Sequence, residues 1–344
     1  MSSTINQLLS AVFGDISGNL FWTILLFGLG LVLLIKGGDW FVDGAVGIAK
    51  RFHVPMILIG ATIVSIGTTL PEVMVSAGSA VKGHGEIAYG NAIGSVICNT
   101  ALICAITIAV RPSKTDSKTL RMPVLFFFVS AVFYALNAYV FGTFSRWTGI
   151  VLLIIFALYM FVNVRNGFKD ARAALSDGTP EEEAEENREM VKHIIWLVAG
   201  AFFIALGADL LVEHGTELAV AMHVPESVIA LTFVALGTSL PELVTAITSL
   251  VKGQSALSLG NIIGANVFNL VLVSGLSVTL SPFEIPAGKQ LLGHNATLVV
   301  DFPVMFLVMG ILTLPALLRG RLSRIQGILL LLIYAAFCVF QFTV

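Results

Sequence analysis

Charge is scarce in this chain. Asp, Glu, Lys and Arg make up 12% of its 344 residues, about half the share with which a soluble domain covers its surface. Cysteine is scarcer still: Cys98, Cys104 and Cys338 all lie in apolar stretches, with no Cys-x-x-Cys and no Cys/His spacing. That pattern argues against a disulfide framework and a thiolate metal centre, and leaves the three as apolar packing. No Lys or Arg precedes Lys36. The basic start of a secretory signal peptide is therefore missing, and the apolar run 21–35 is expected to remain as a membrane helix. The chain has no basic patch interleaved with aromatics, which argues against nucleic acid as a partner. The net charge of −2 selects nothing.

What remains is apolar. Hydrophobic residues reach 57%, Phe alone numbers 24, and the mean hydropathy is +0.94, the profile of an all-α integral membrane protein. A bilayer core about 30 Å thick takes ~20 apolar residues per helix. Segments of that kind fall near 20–47, 55–82, 86–110, 122–141, 147–164, 192–220, 225–251, 256–281, 295–317 and 323–343, which makes ten spans. The chain divides into a first five-helix half (1–168, opening on a short polar stub), a hydrophilic linker (169–191) and a second five-helix half (192–344). The linker's acidic run Glu181–Glu186 reads as a solvated connection rather than a Ca²⁺ sensor. All of the 19 Lys and Arg except Lys82, Arg146 and Lys289 fall on the linker side of this ten-span arrangement. The positive-inside rule then places the linker in the cytoplasm and both termini outside a cell membrane.

The strongest feature is an internal repeat. HVPMILIGATIVSIGTTLPE (53–72) matches HVPESVIALTFVALGTSLPE (223–242) at about half its positions without a gap, and GNAIGSVICN (90–99) matches GNIIGANVFN (260–269), all offset by 170 residues. The halves are copies. With five spans each, the second enters the membrane from the opposite face, an inverted repeat of the kind that transporters hold around a midplane site.

Each repeat carries Gly-Thr-(Thr/Ser)-Leu-Pro-Glu. Pro71 and Pro241 lack the N–H that would bond the carbonyls of Gly67 and Gly237, and lipid offers those carbonyls no partner. Thr68, Thr69, Thr238 and Ser239 add hydroxyls within a turn. Glu72 and Glu242 follow directly; a carboxylate near mid-membrane costs several kcal/mol unless paired, and no Lys or Arg lies at that depth. Two carboxylates with only cations for partners make a divalent-ion site, and Ca²⁺ takes six to eight oxygens of these kinds. Asn91, Ser95 and Asn99 share one helical face, as do Asn261, Ala265 and Asn269. The nearby glycines should allow close packing that sets Asn99 and Asn269 beside the glutamates. For Asn91 and Asn261, ion binding and interhelical hydrogen bonding stand equal. His53 and His223 are expected as interfacial caps, and Asp39 and Asp209 as caps or stem-side carboxylates in the outer turns of the first span of each half.

The paired segments GTTLPE…GNAIGSVICN and GTSLPELVTA…GNIIGANVFN resemble the two α-repeats of the cation/Ca²⁺ exchanger superfamily, and among its members the bacterial calcium/sodium antiporters. The likeness spans essentially the whole chain. It implies alternating-access exchange of Ca²⁺ for Na⁺, both carried as substrates, with no cofactor and no enzymatic activity, by a protein that functions as a monomer in the bilayer. It further implies a Ca²⁺ site of Glu72 and Glu242 with backbone oxygens of Thr68 and Thr238. Na⁺ sites would draw on Ser65, Thr69 and Ser95 on one side, on the Ala235 carbonyl and Ser239 on the other, and on Asn99 and Asn269 between them. The first and sixth helices would slide past this core. Three departures stand out. Ala265 replaces a Ser of many relatives and thins one Na⁺ site. Asn269 replaces the Asp linked to K⁺ coupling, which argues against K⁺. Val96 stands opposite Asn266, a position expected to face packing. A Ca²⁺/H⁺ exchanger of the same fold is the alternative, and a cation channel or a two-carboxylate membrane hydrolase are rivals of other classes. The hydrolase lacks an oxyanion-type donor set.

Overall fold

The computed structural model describes residues 19–174, 180–221, 237–288 and 290–343. Ten helices cover most of them: α1 (Leu20–Arg51), α2 (Met56–Val81), α3 (Gly85–Val110), α4 (Ser117–Phe141), α5 (Arg146–Ala174), α6 (Pro180–Ala221), α7 (Leu240–Val251), α8 (Ser255–Leu280), α9 (Thr297–Arg319) and α10 (Arg324–Thr343). All but α7 are, among the described residues, long and apolar enough to cross a membrane. The stretch where the first part of the seventh span was expected (225–236) lies outside the described residues, as does His223. Many large apolar side chains on the outer faces, such as Leu29, Met74, Leu158 and Leu332, are exposed, the surface a lipid-facing bundle presents.

Local chemistry sets the helix ends. Asn19 accepts a hydrogen bond from the Phe21 N–H at 3.0 Å and starts α1, and Lys50 and Arg51 lie in its last turn, where the helix dipole favours cations. Asp116 caps α4 by accepting from the Lys118 N–H. His53 follows α1 in the left-handed region (φ 49°) with its N–H on the Lys50 carbonyl, in keeping with an interfacial turn. Two findings differ from the expected boundaries. The sixth span was drawn from 192, but its helix already starts at Pro180, so most of the linker is helical. Asp39, expected as a cap or a stem-side carboxylate, is not a cap: it sits well inside α1, where Lys252 at the end of α7 holds it, with Lys252 Nζ 3.3 Å from Asp39 Oδ1, 3.0 Å from its carbonyl and 2.8 Å from Asp43 Oδ1. The helix simply runs too far past Asp39 for it to be a cap.

Helices α1 and α6 lie against each other backbone to backbone. Gly30, Gly37 and Gly44 recur every two turns of α1, and Gly200 and Gly207 answer from α6. A Cβ on Gly37 would stand 2.8 Å from Ile204 N, and one on Gly207 2.7 Å from Gly30 O. Such spacing lets two helices approach where side chains would hold them apart. Behind this pair, α2, α3, α7 and α8 form the centre, with α4, α5, α9 and α10 around it. Buried aromatics fill the outer layer, with Tyr134 stacked on Phe144 at 4.2 Å.

Short connections meet in two sets. Thr115 N–H donates to the Gly320 carbonyl and Leu322 N–H to that of Ser113, both at 2.9 Å. On the other side β1 (Thr143–Phe144) pairs antiparallel with β2 (Phe283–Glu284), and Arg146 Nε donates to the Thr279 carbonyl at 3.0 Å. A further two-residue pair joins β3 (Gln290–Leu291) to β4 (His294–Asn295). Each of the first two sets joins stretches that the ten-span arrangement puts on one face.

Candidate functional site

The residues of the two repeats converge at the centre. Glu72 and Glu242 are both wholly buried and are electrostatic neighbours. Thr69 Oγ1 donates across the repeats to Glu242 Oε1 at 3.4 Å. Among the described residues no third Asp, Glu, His or Cys joins them in a metal-binding group, so the acidic groups here are these two carboxyls.

The backbone around them departs from the α-helix in a patterned way. Wider π-helical turns occupy Gly60–Val64 in α2, Asn99–Cys104 in α3 and Asn269–Val273 in α8. Two of the three open on the very asparagines expected to bind ions. Such turns weaken the regular i−4 ladder and recur at functional sites. Pro71 stays inside α2, whereas Pro241 stands at the start of α7, after a turn in which Leu240 N–H donates to the Gly237 carbonyl at 3.3 Å. The Gly237 carbonyl, expected to be free, is therefore bonded in the second repeat.

The two asparagine pairs have separate fates. Asn91 and Asn261 act across the repeat boundary in matched fashion: Thr68 Oγ1 donates to Asn261 Oδ1 at 3.3 Å, and Thr238 Oγ1 to Asn91 Oδ1 at 3.2 Å. Asn91 Nδ2 also donates to Ser76 Oγ at 2.8 Å and to the Glu72 carbonyl at 3.2 Å. They join the halves and orient the glutamate-bearing turns. Asn99 and Asn269 are fully buried, and neither the amide oxygen nor the amide nitrogen of either has a hydrogen-bond partner; the same is true of both Glu72 carboxylate oxygens and of Glu242 Oε2. Buried polar atoms are nearly always paired, so this cluster of unpaired oxygens from both repeats suits a bound cation.

The remaining expected ligands fall nearby. Ser65 is buried with Oγ 2.8 Å from the Gly60 carbonyl and 3.0 Å from that of Asn261, to one of which it donates. Thr69, Ser95 and Ser239 are buried as well. Ala235 lies outside the described residues. Asn266 donates through Nδ2 to Thr100 Oγ1 at 2.7 Å and contacts Met309 Sδ, while its buried amide oxygen has no partner. The close approach expected at the glycines holds in the second half, where a Cβ on Gly264 would collide with Ser65 Oγ and one on Gly260 with the Ile57 carbonyl. At Gly90 and Gly94 no described atom lies within 4 Å of such a Cβ. Ser76 was missed by sequence reasoning; its spacing of one turn from Glu72 was the available signal.

Comparison with known proteins identifies relatives along almost the whole chain. The profile of the sodium/calcium exchanger protein family matches residues 22–165 and 192–343. A sodium/calcium exchanger of Methanosarcina acetivorans is 31% identical over 92% of this chain and 98% of its own length. A putative antiporter of Alkalimonas amylolytica is 32% identical over 90% of this chain and 95% of its own. A solved sodium-calcium exchanger, NCX_Mj, soaked with Na⁺ and Sr²⁺, superimposes with a TM-score of 0.77 at 31% identity over 92% of this chain and 97% of that one.

Proposed function

This chain belongs to the sodium/calcium exchanger family, and from that premise we propose that it is a secondary antiporter moving Ca²⁺ against Na⁺ through a site built by Glu72 and Glu242. The observation that carries the reading is the buried cluster of unpaired oxygens on Glu72, Glu242, Asn99 and Asn269. Two carboxylates neutralise one Ca²⁺, and the amide and backbone oxygens around them complete a shell of the number Ca²⁺ takes. Thr68 and Thr238 hold this shell by bonding to the opposite repeat. Replacing Ca²⁺ with Na⁺ redistributes the same oxygens among smaller charges: Ser65, Thr69, Ser95 and Ser239 supply neutral ones, and the Ala235 carbonyl is assigned to the same set. Both carboxylates come from one chain, so a monomer suffices. Residues 1–168 and 192–344 act as the two inverted halves, joined by the 169–191 linker.

The coupling ion is tested directly. Proton exchange needs a carboxylate alone, whereas this site is crowded with neutral hydroxyls, which favours Na⁺. We expect Ca²⁺ uptake into proteoliposomes to follow an outward Na⁺ gradient at fixed pH, with modest H⁺ competition at low pH. Ala265→Ser should steepen the Na⁺ dependence by restoring a hydroxyl. Full uptake driven by an H⁺ gradient without Na⁺ would reassign the protein as a Ca²⁺/H⁺ exchanger.

The orientation follows from the excess of Lys and Arg on the linker side. The way same-face connections bond to each other, as Thr115 does to Gly320, supports the ten-span arrangement on which that count of charges rests. We expect a cysteine at position 3, in a cysteine-free background, to react with an impermeant maleimide on intact cells, and one at 175–187 to be protected. The reverse pattern would invert the assignment.

A further inference from the structure

Beyond the central site, three buried Ser and Thr hydroxyls have no hydrogen-bond partner among the described residues: Thr245 Oγ1 and Ser249 Oγ on α7, and Ser258 Oγ on the adjacent α8. Helical Ser and Thr ordinarily bond back to the carbonyl one turn earlier, as Thr62, Thr100, Ser277 and Thr313 do here at 2.6–2.8 Å. Thr245 and Ser249 do not, although both are fully buried. An unpaired buried hydroxyl costs about 1–3 kcal/mol, so these groups call for a partner that reaches them in another state.

Their placement names that partner. Thr245 and Ser249 lie three and seven residues beyond Glu242 on the same face of α7, or about 4.5 and 10.5 Å along its axis. Lys252 follows at about 15 Å, half the thickness of a bilayer core. Ser258 lines a small cavity at this same end with Leu250 and Arg111. Lys252 is drawn toward α1 by Asp39 and Asp43, with Nζ 2.8 Å from Asp43 Oδ1. The first repeat has Val75, Ser79 and Lys82 at the matching positions, so the hydroxyl pair belongs to the second half alone.

We propose that cations travel between the Glu72–Glu242 site and the linker-side face over the hydroxyls of Thr245 and Ser249, and that Lys252, clasped by Asp39 and Asp43, bars the mouth of this path. The inference rests on the assignment of Glu72 and Glu242 as a cation site. In transit a hydrated Na⁺ or Ca²⁺ takes the hydroxyl oxygens as ligands, and its water accepts their protons as hydrogen bonds. The Lys252 ammonium, for as long as α1 holds it there, offsets one of the two carboxylates that would otherwise draw a cation to the mouth. A shift of α1 relative to α7 breaks the clasp and releases the bar.

The test reads access rather than transport, so it can fail while the exchange reading stands. In a background lacking Cys98, Cys104 and Cys338, T245C, S249C and A246C are exposed to a cationic methanethiosulfonate from the linker side of inside-out vesicles. Ala246 is the control, because it is buried in an apolar cluster. We expect T245C and S249C to react faster than A246C, and adding K252A to speed both by about tenfold, the effect of one charge ~10 Å away at an effective dielectric of about 20. Labelling of T245C and S249C no faster than A246C, with or without K252A, overturns the path. If the cysteine variants do not fold, Ca²⁺ uptake decides: T245V should slow it about tenfold while T245S keeps it, and equal uptake by the two overturns the proposal.

Discussion

Glu72→Gln and Glu242→Gln should each abolish saturable Ca²⁺ uptake. Gln keeps the size and one oxygen of the carboxylate but removes its charge. With both carboxylates present, the site and one Ca²⁺ sum to zero; with one gone, a net positive charge is left in a region where both residues are wholly buried. An uncompensated charge in such surroundings costs about 3–5 kcal/mol, which lowers Ca²⁺ affinity by roughly two to four orders of magnitude. Neighbouring residues offer no substitute, since no further Asp, Glu, His or Cys completes a metal-binding group among the described residues. Radioactive Ca²⁺ uptake into proteoliposomes, read over a range of Ca²⁺ concentrations, checks this. Near-normal uptake by either variant would reject the assignment.

Gly260→Ala should be strongly destabilising for so small a change. Its Cβ would land on the Ile57 carbonyl, and the reciprocal residue Gly60 is as tightly placed, with a Cβ there 2.7 Å from Asn261 N. Both obstacles are backbone, so α2 and α8 would have to separate. Overpacking of this kind costs about 1–3 kcal/mol or more. The separation would also pull Asn261 away from Ser65 and Thr68, whose side chains lie 3.2 and 3.3 Å from its amide oxygen. We expect a clearly lowered melting temperature in detergent together with lost uptake. Gly78→Ala is the contrast: no described atom lies within 4 Å of its Cβ, so it should be neutral or gain up to about 1 kcal/mol from reduced backbone freedom. An equal loss from both would show that the α2–α8 crossing is not what makes Gly260 sensitive.

What the sequence made legible is what repeats. The 170-residue offset located Glu72 with Glu242 and Asn99 with Asn269, because a duplicated motif is visible without knowing any contact. Helix extents were legible to within a few residues where apolar runs met capping groups such as Asn19 and Asp116. Features made by distant pairs were not. Lys252 finds Asp39 across 213 positions, and no local pattern marks that meeting. The π-helical turns at Asn99 and Asn269 leave no compositional trace either, since Asn-Thr-Ala-Leu and Asn-Leu-Val-Leu read as ordinary helix. Gly90 and Gly94 look equivalent in sequence to Gly260 and Gly264, yet of these four only Gly260 and Gly264 meet described backbone or side-chain atoms at close range.

The π-helical turns also repeat with the sequence. Those that open at Asn99 and Asn269 stand at the same 170-residue offset as the glutamates. Each copy therefore carries one break in the regular i−4 ladder, on the helix that bears its buried, unpaired asparagine. The looseness of the backbone is thus distributed evenly: neither half has a stiff counterpart to the other's widened turn at this position.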